Sequence, residues 1–268
     1  RDPLSILGCS CGIRIKDCSF WKKVERESGL DTSKIDLSGK LSNINSRLFK
    51  LVFFIFGSKV TMRISNYYKP FNSIITIANN YYKILTAIAK ISNAKYIIDS
   101  SKMLHIFLIL KMFQPSKIKF ILLIRDGRAV TKSMIRGDRK LYSSLNNHWM
   151  FKRGKFDIYT VAVLSWATTV FQFLLFYFRL PSKDKYLVKY EDFCDNPNGI
   201  INKLSARFNL SKIKNNKSNI HTTGGPPSRP NFSTQVKLNE KWRSEWSKKD
   251  NIRFKIIGGL LNRILGYK

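Results

Sequence analysis

The 268-residue chain carries 48 Lys and Arg against 17 Asp and Glu, a formal charge of +31, and is 44% hydrophobic. That is enough apolar content for a full core in one α/β domain spanning 1–268, and four cysteines are too few for a disulfide scaffold. The charge attracts nucleic acid, anionic membrane or an acidic small molecule without distinguishing them, and an AT-rich coding sequence also produces abundant Lys, Ile and Asn.

The chain opens at Arg1 with no signal-peptide pattern and reads as cut from a longer one, with a cytoplasmic location, peripheral to a membrane at most, as the expectation. Cys9, Cys11 and Cys18 follow, the last leading into Phe20-Trp21. Three thiols supply three corners of a zinc tetrahedron, but a paired CxxC knuckle and a second ligand pair are missing, so no metal site is assigned. Leu48 to Phe56 is apolar but too short to span a bilayer, and a buried helix or strand is expected. From Ile75 to Ile91 the apolar spacing predicts a helix that packs. Lys95 to Ile98 is a β-prone run, followed by Asp99-Ser100-Ser101-Lys102 and a helical pattern over Met103 to Phe113. A lysine in a first helical turn opposes the helix dipole unless an anion sits nearby, which makes Lys102 a ligand-facing candidate; His105 is read as a core or rim residue.

Phe120 to Ile124 forms an apolar run fit for a strand buried on both faces, and it stops at Arg125-Asp126-Gly127-Arg128 before a helical stretch. A strand that ends in an arginine and turns into a helix places that guanidinium at the carboxyl edge of the sheet. Open α/β sheets bind ligands there, and helix amides favour anions. Ser133, about two turns on, adds a hydroxyl donor, and phosphate is the natural guest.

Gly137 to Asp157 has no clear period and reads as a lid or acceptor-binding segment, with His148 and Trp149 its first candidates. Val161 to Phe178 is uncharged over eighteen residues; a buried core helix is preferred to a membrane span. Lys185 to Tyr190 predicts a second strand, with Asn196 capping a helix that has Pro197 at its first position and Ile200, Ile201, Leu204 and Phe208 on one face. His221 to Arg229 must be a loop, in which Gly224-Gly225 allows close backbone approach and Arg229 offers a two-donor fork. The remaining helices through Tyr267 read as packing elements.

Five ordered segments, CxCG with C-x-FW, DSSK, RDxRAV with Ser133, YEDF-xx-NP and HxxGG-to-KWR, resemble those of sulfotransferases that use 3'-phosphoadenylyl sulfate (PAPS), bacterial-type and carbohydrate-sulfotransferase-like. Gly127 stands where that family usually has a proline, and Pro226 replaces an asparagine. The resemblance implies a three-layer, P-loop-nucleotide-hydrolase-like α/β fold with a mostly parallel central sheet flanked by helices. It also implies transfer of a sulfuryl group from PAPS to a hydroxyl or amine, leaving adenosine 3',5'-bisphosphate. Arg125, Arg128, Ser133, Gly225 and Arg229 would bind the nucleotide, Lys102 would face the sulfonate, and no metal is required. The Glu191-Asp192 carboxylates are read as orienting their turn. A PxSGTT-like phosphosulfate loop is absent from the 268 residues, so first strand and loop are expected upstream of Arg1 and the fragment is expected to turn over poorly. The alternative is a polyanion-binding module, for nucleic acid or a heparin-like chain, without catalysis; no specific nucleic acid partner is expected.

Overall fold

The computed structural model describes residues 9, 11–31, 43–100, 104–113, 117–136, 157–211 and 237–268. They fall into two compact units, one within 9–118 and one formed by 119–211 with 237–268.

In the first unit a tight turn and a short 3-10 helix, Ile15–Asp17, lead into α1, Ser19–Ser28. Trp21 and Val24 lie one turn apart on α1 and pack with Ile15, Ile84 and Ala87, the latter two from α3, Lys69–Ser92. Gly29 ends α1 at φ 67°, a left-handed cap that costs glycine least. The Ile75–Ile91 stripe lies within α3, as its spacing predicts. α4 spans Leu104–Phe113 and carries His105.

Two expectations in this unit are corrected. Leu48 to Phe56 is helical, inside α2 (Asn43–Tyr67, broken at Gly57), but it is not buried throughout. Phe49 is fully enclosed while Leu51, Ile55 and Phe56 are more than half exposed. A helix turns 100° per residue, so a run with apolar residues at almost every position wraps all sides while a neighbour covers only one. Lys95 to Ile98 forms no strand, and Ile98 is 87% exposed. β-propensity alone does not make a strand.

The second unit is built on a parallel pair, β1 (Phe120–Ile124) and β2 (Lys185–Lys189), in register from Phe120↔Lys185 to Ile124↔Lys189. Parallel strands require a long crossover, here containing α5 (Gly127–Arg136) and α6 (Ile158–Arg179). The molecule is therefore α/β, predominantly helical with a small parallel sheet, which agrees with the fold class expected. β1 departs from its expectation: Phe120, Leu122 and Ile124 are buried, but Ile121 is 44% and Leu123 56% exposed. Only the face carrying Phe120, whose ring stacks on Phe173 of α6, is covered.

Among the described residues α6 is the one helix long and apolar enough to cross a membrane, by length and composition alone. Here its first half packs inward through Tyr159, Val161, Ala162, Val163 and Trp166, while Phe171 and Phe178 remain exposed. After β2 come α7 (Tyr190–Asp195) and α8 (Pro197–Phe208). Asn196 caps α8 by accepting from the Gly199 amide at 2.8 Å, as its position before Pro197 predicts. Three short helices close the chain: α9 (Lys241–Ser244), α10 (Lys248–Ile257) and α11 (Gly259–Ile264).

Candidate anion-binding site

The turn between β1 and α5 is held by three amide-to-side-chain hydrogen bonds. The Asp126 amide donates to Glu191 Oε1 at 3.3 Å, the Gly127 amide to Asn262 Oδ1 at 2.8 Å and the Arg128 amide to Asp126 Oδ1 at 2.9 Å. The first two amides of the helix, those of Gly127 and Arg128, are thus already matched by side chains. This corrects the expectation that they face an anion: carboxylate and amide oxygens of the protein occupy them.

The side chains that remain lie on one stripe. Arg125, Ala129, Ser133 and Arg136 are spaced by four, four and three residues, so α5 and its entry turn present them together. With Asn239 and Trp242 they line a single hollow. Arg125 is held by one nitrogen, Nη2, which donates to the Asn239 carbonyl at 2.8 Å, and its guanidinium lies 4.4 Å from the centre of the Tyr190 ring. Its Nε–H is buried with no hydrogen-bond partner. An unmatched buried donor costs about 1–3 kcal/mol, so an anion that accepts from it recovers a penalty already present. Ser133 is exposed beside it, and Arg136 reaches the hollow while pairing with Glu245.

A second hollow shares Arg125, Asn239 and Trp242 but adds Asp126, Glu191 and Glu240. Three carboxylates outnumber the Arg125 and Arg243 guanidiniums there, whereas among the described residues the first hollow is lined by two guanidiniums, a hydroxyl and no carboxylate. Charge therefore makes the first the better fit for an anion.

Glu191 is structural, as its sequence context suggested: besides the Asp126 amide it accepts from the Tyr267 hydroxyl at 2.7 Å. Burial, and then that bond to Glu191, push the Tyr267 phenol far up, so it remains a neutral donor. Tyr190 is raised first by its hydrogen bond with Cys194 and then by desolvation, while the Arg125 guanidinium pulls the other way. The platform under Arg125 is accordingly an uncharged ring at neutral pH.

Of the residues singled out in the sequence, the structure brings Arg125 and Ser133 together. Arg128 lines neither hollow: its guanidinium is committed to Asp126, at 2.6 Å from Oδ2, and lies 5.2 Å from the Trp242 ring centre. It braces the turn. Lys102, Gly225, Arg229, His148 and Trp149 lie outside the described residues. Arg136, Tyr190, Asn239 and Trp242 were not singled out as contacts. Arg136 had a readable signal, three residues beyond Ser133 on the same helical face, and Tyr190 and Trp242 lie in the YEDF and KWR segments without being marked there as contacts. Asn239 contributes a backbone carbonyl, which no side-chain pattern marks.

Comparison with known proteins gives one positive result: the model of the sulfotransferase family matches residues 59–213, more than half of the chain. The matched span contains β1, the Arg125 turn, α5, β2 and Glu191. Neither a curated protein nor a solved structure gives a significant match.

Proposed function

The chain belongs to the sulfotransferase family, and from that premise we propose that it transfers a sulfuryl group from PAPS to a hydroxyl or amine, with the donor's 3'-phosphate seated in the hollow of Arg125, Ser133 and Arg136. The observation that carries this reading is the Arg125 guanidinium, fixed through one nitrogen to Asn239 with its buried Nε–H unmatched, at the carboxyl end of a parallel strand. Two guanidiniums suit a phosphate monoester, which offers several oxygens and close to two negative charges. Arg229 and Gly225 complete the nucleotide clasp in this proposal, and Lys102 faces the sulfonate.

In-line displacement at sulfur breaks the bond to the 5'-phosphate oxygen as the acceptor oxygen or nitrogen bonds to sulfur and gives up its proton. Charge in the transition state spreads over the peripheral oxygens, as in phosphoryl transfer, so positioning and cationic stabilisation dominate. Cations can carry this reaction without a metal, because a sulfuryl group bears less charge than a phosphoryl group. The role of the hollow is register: anchoring the ribose substituent fixes where the distant sulfur lies.

Comparing adenosine 3',5'-bisphosphate with adenosine 5'-monophosphate as ligands of the full chain tests the reading. The proposal expects the bisphosphate to bind at least tenfold more tightly. Equal affinities, or binding that follows only phosphate number and collapses with salt in parallel with heparin, would instead mark a polyanion-binding surface.

A further inference from the structure

Cys9, Cys11 and Cys18 lie far from the Arg125 turn in sequence and outside the span matched by the family model. The local backbone gathers them. Cys9 donates its amide to the Ile13 carbonyl at 2.8 Å and accepts from the Gly12 amide at 2.9 Å, closing a turn in which Gly12 takes φ 88°. The 3-10 helix then returns the chain, with the Cys18 amide bonded to the Arg14 carbonyl at 3.0 Å, and Cys18 precedes α1 as its N-cap residue. The result is three sulfurs all within 4.8 Å of one another, with Cys11 and Cys18 3.7 Å apart.

That spacing is informative. Tetrahedral zinc with sulfur at about 2.3 Å has a sulfur–sulfur edge of about 3.8 Å, so one edge is in place and the others need to close by about 1 Å at most.

Packing alone accounts for part of this. Cys9 and Cys18, each 1% exposed, sit in the apolar cluster with Ile15, Trp21 and Val24, where cysteine serves as a small hydrophobe. It does not account for Cys11, which is exposed and yet holds its sulfur against Cys18. An exposed third ligand leaves the fourth position open to solvent.

We propose that Cys9, Cys11 and Cys18 form a three-thiolate site for a thiophilic d10 divalent cation, Zn2+ foremost, with water as the fourth ligand. Each sulfur that bonds the ion releases its proton to solvent, so no redox partner is needed. The ion clips the turn at Cys9–Cys11 to the start of α1, and its role is stability rather than sulfuryl transfer.

Cobalt titration of the reduced full chain tests this. The expected result is a thiolate-to-cobalt charge-transfer band that saturates at one equivalent and is erased by Zn2+, together with a rise in melting temperature when Zn2+ is added. Cys11→Ser should lose the melting shift and most of the band, whereas Cys194→Ser should keep both. A second measurement uses the unmodified chain: Zn2+ should block iodoacetamide labelling of Cys11, read by peptide mass. The proposal is overturned by the absence of a band at stoichiometric cobalt, by a band unchanged in Cys11→Ser, or by labelling of Cys11 at the same rate with and without Zn2+.

Discussion

The Gly127 amide donates to the side-chain oxygen of Asn262 at 2.8 Å, across 135 positions of sequence, and both groups are buried. Asn262 also directs its Nδ2 toward Asp126 Oδ1 at 3.4 Å. Asn262 thereby caps the first amide of α5. Asn262→Ala leaves a buried amide without an acceptor and should cost about 1–3 kcal/mol in urea denaturation. An unchanged unfolding midpoint would show that the contact does not brace the turn.

Gly127 is required for space. Its φ is unexceptional, but a Cβ would meet the Trp166 ring at 2.5 Å, too close for van der Waals contact. Gly127→Ala should therefore destabilise the second unit by about 1–3 kcal/mol. Trp166→Phe removes the ring atoms in the way, so the double variant should lose less than the sum of the two single changes. Simple additivity in thermal melts would contradict the steric account.

Arg136 divides its charge between the hollow and Glu245. Removing the competitor with Glu245→Gln should tighten binding of adenosine 3',5'-bisphosphate a few-fold, since the pair is about half exposed and weak. Arg136→Ala should weaken it by more, and Ser133→Ala by less. Fluorescence or calorimetric titration of the three variants should return that order.

Asp250 supports a stability prediction with a definite sign. It is desolvated, which raises its pKa, but hydrogen bonds from Lys132 and from Ser247 prevail and hold it below the ordinary 3.8. Lys132 lies 2.9 Å away, and the Asp250 and Ser247 side chains each cap the other's backbone amide. A folded value below the unfolded one contributes stability that is fully present above the ordinary carboxylate value and is lost as pH falls through the folded one. Denaturation midpoints of the native chain should drop as pH falls below about 4, and Asp250→Asn should flatten that part of the profile.

Much of this was legible because short-range chemistry determined it. The Asn196-Pro197 helix start, the β1-to-helix turn and the α3 stripe follow from caps and spacing within a dozen residues. The stripe Arg125, Ser133, Arg136 follows from helical period, although only its first two members were read. Long-range partners were not legible. Nothing in residues 237–268 announces that the Asn239 carbonyl holds Arg125, or that Asn262 and Tyr267 lock the turn through Gly127 and Glu191. The exposed face of β1 and the non-strand Lys95–Ile98 run depart from expectation for a related reason: residue composition gives a preference for strand, while neighbours decide strand formation and burial.

The most direct measurement is calorimetric titration of the Arg125→Ala chain with adenosine 3',5'-bisphosphate and, in parallel, with adenosine 5'-monophosphate. A charge-assisted hydrogen bond is worth about 1.5–3 kcal/mol, so the bisphosphate should bind about ten- to a hundredfold more weakly than to the native chain. The monophosphate should hardly change, and the preference for a 3'-phosphate should vanish. If Arg125→Ala keeps that preference undiminished, the 3'-phosphate is held elsewhere and the assignment of this hollow is wrong.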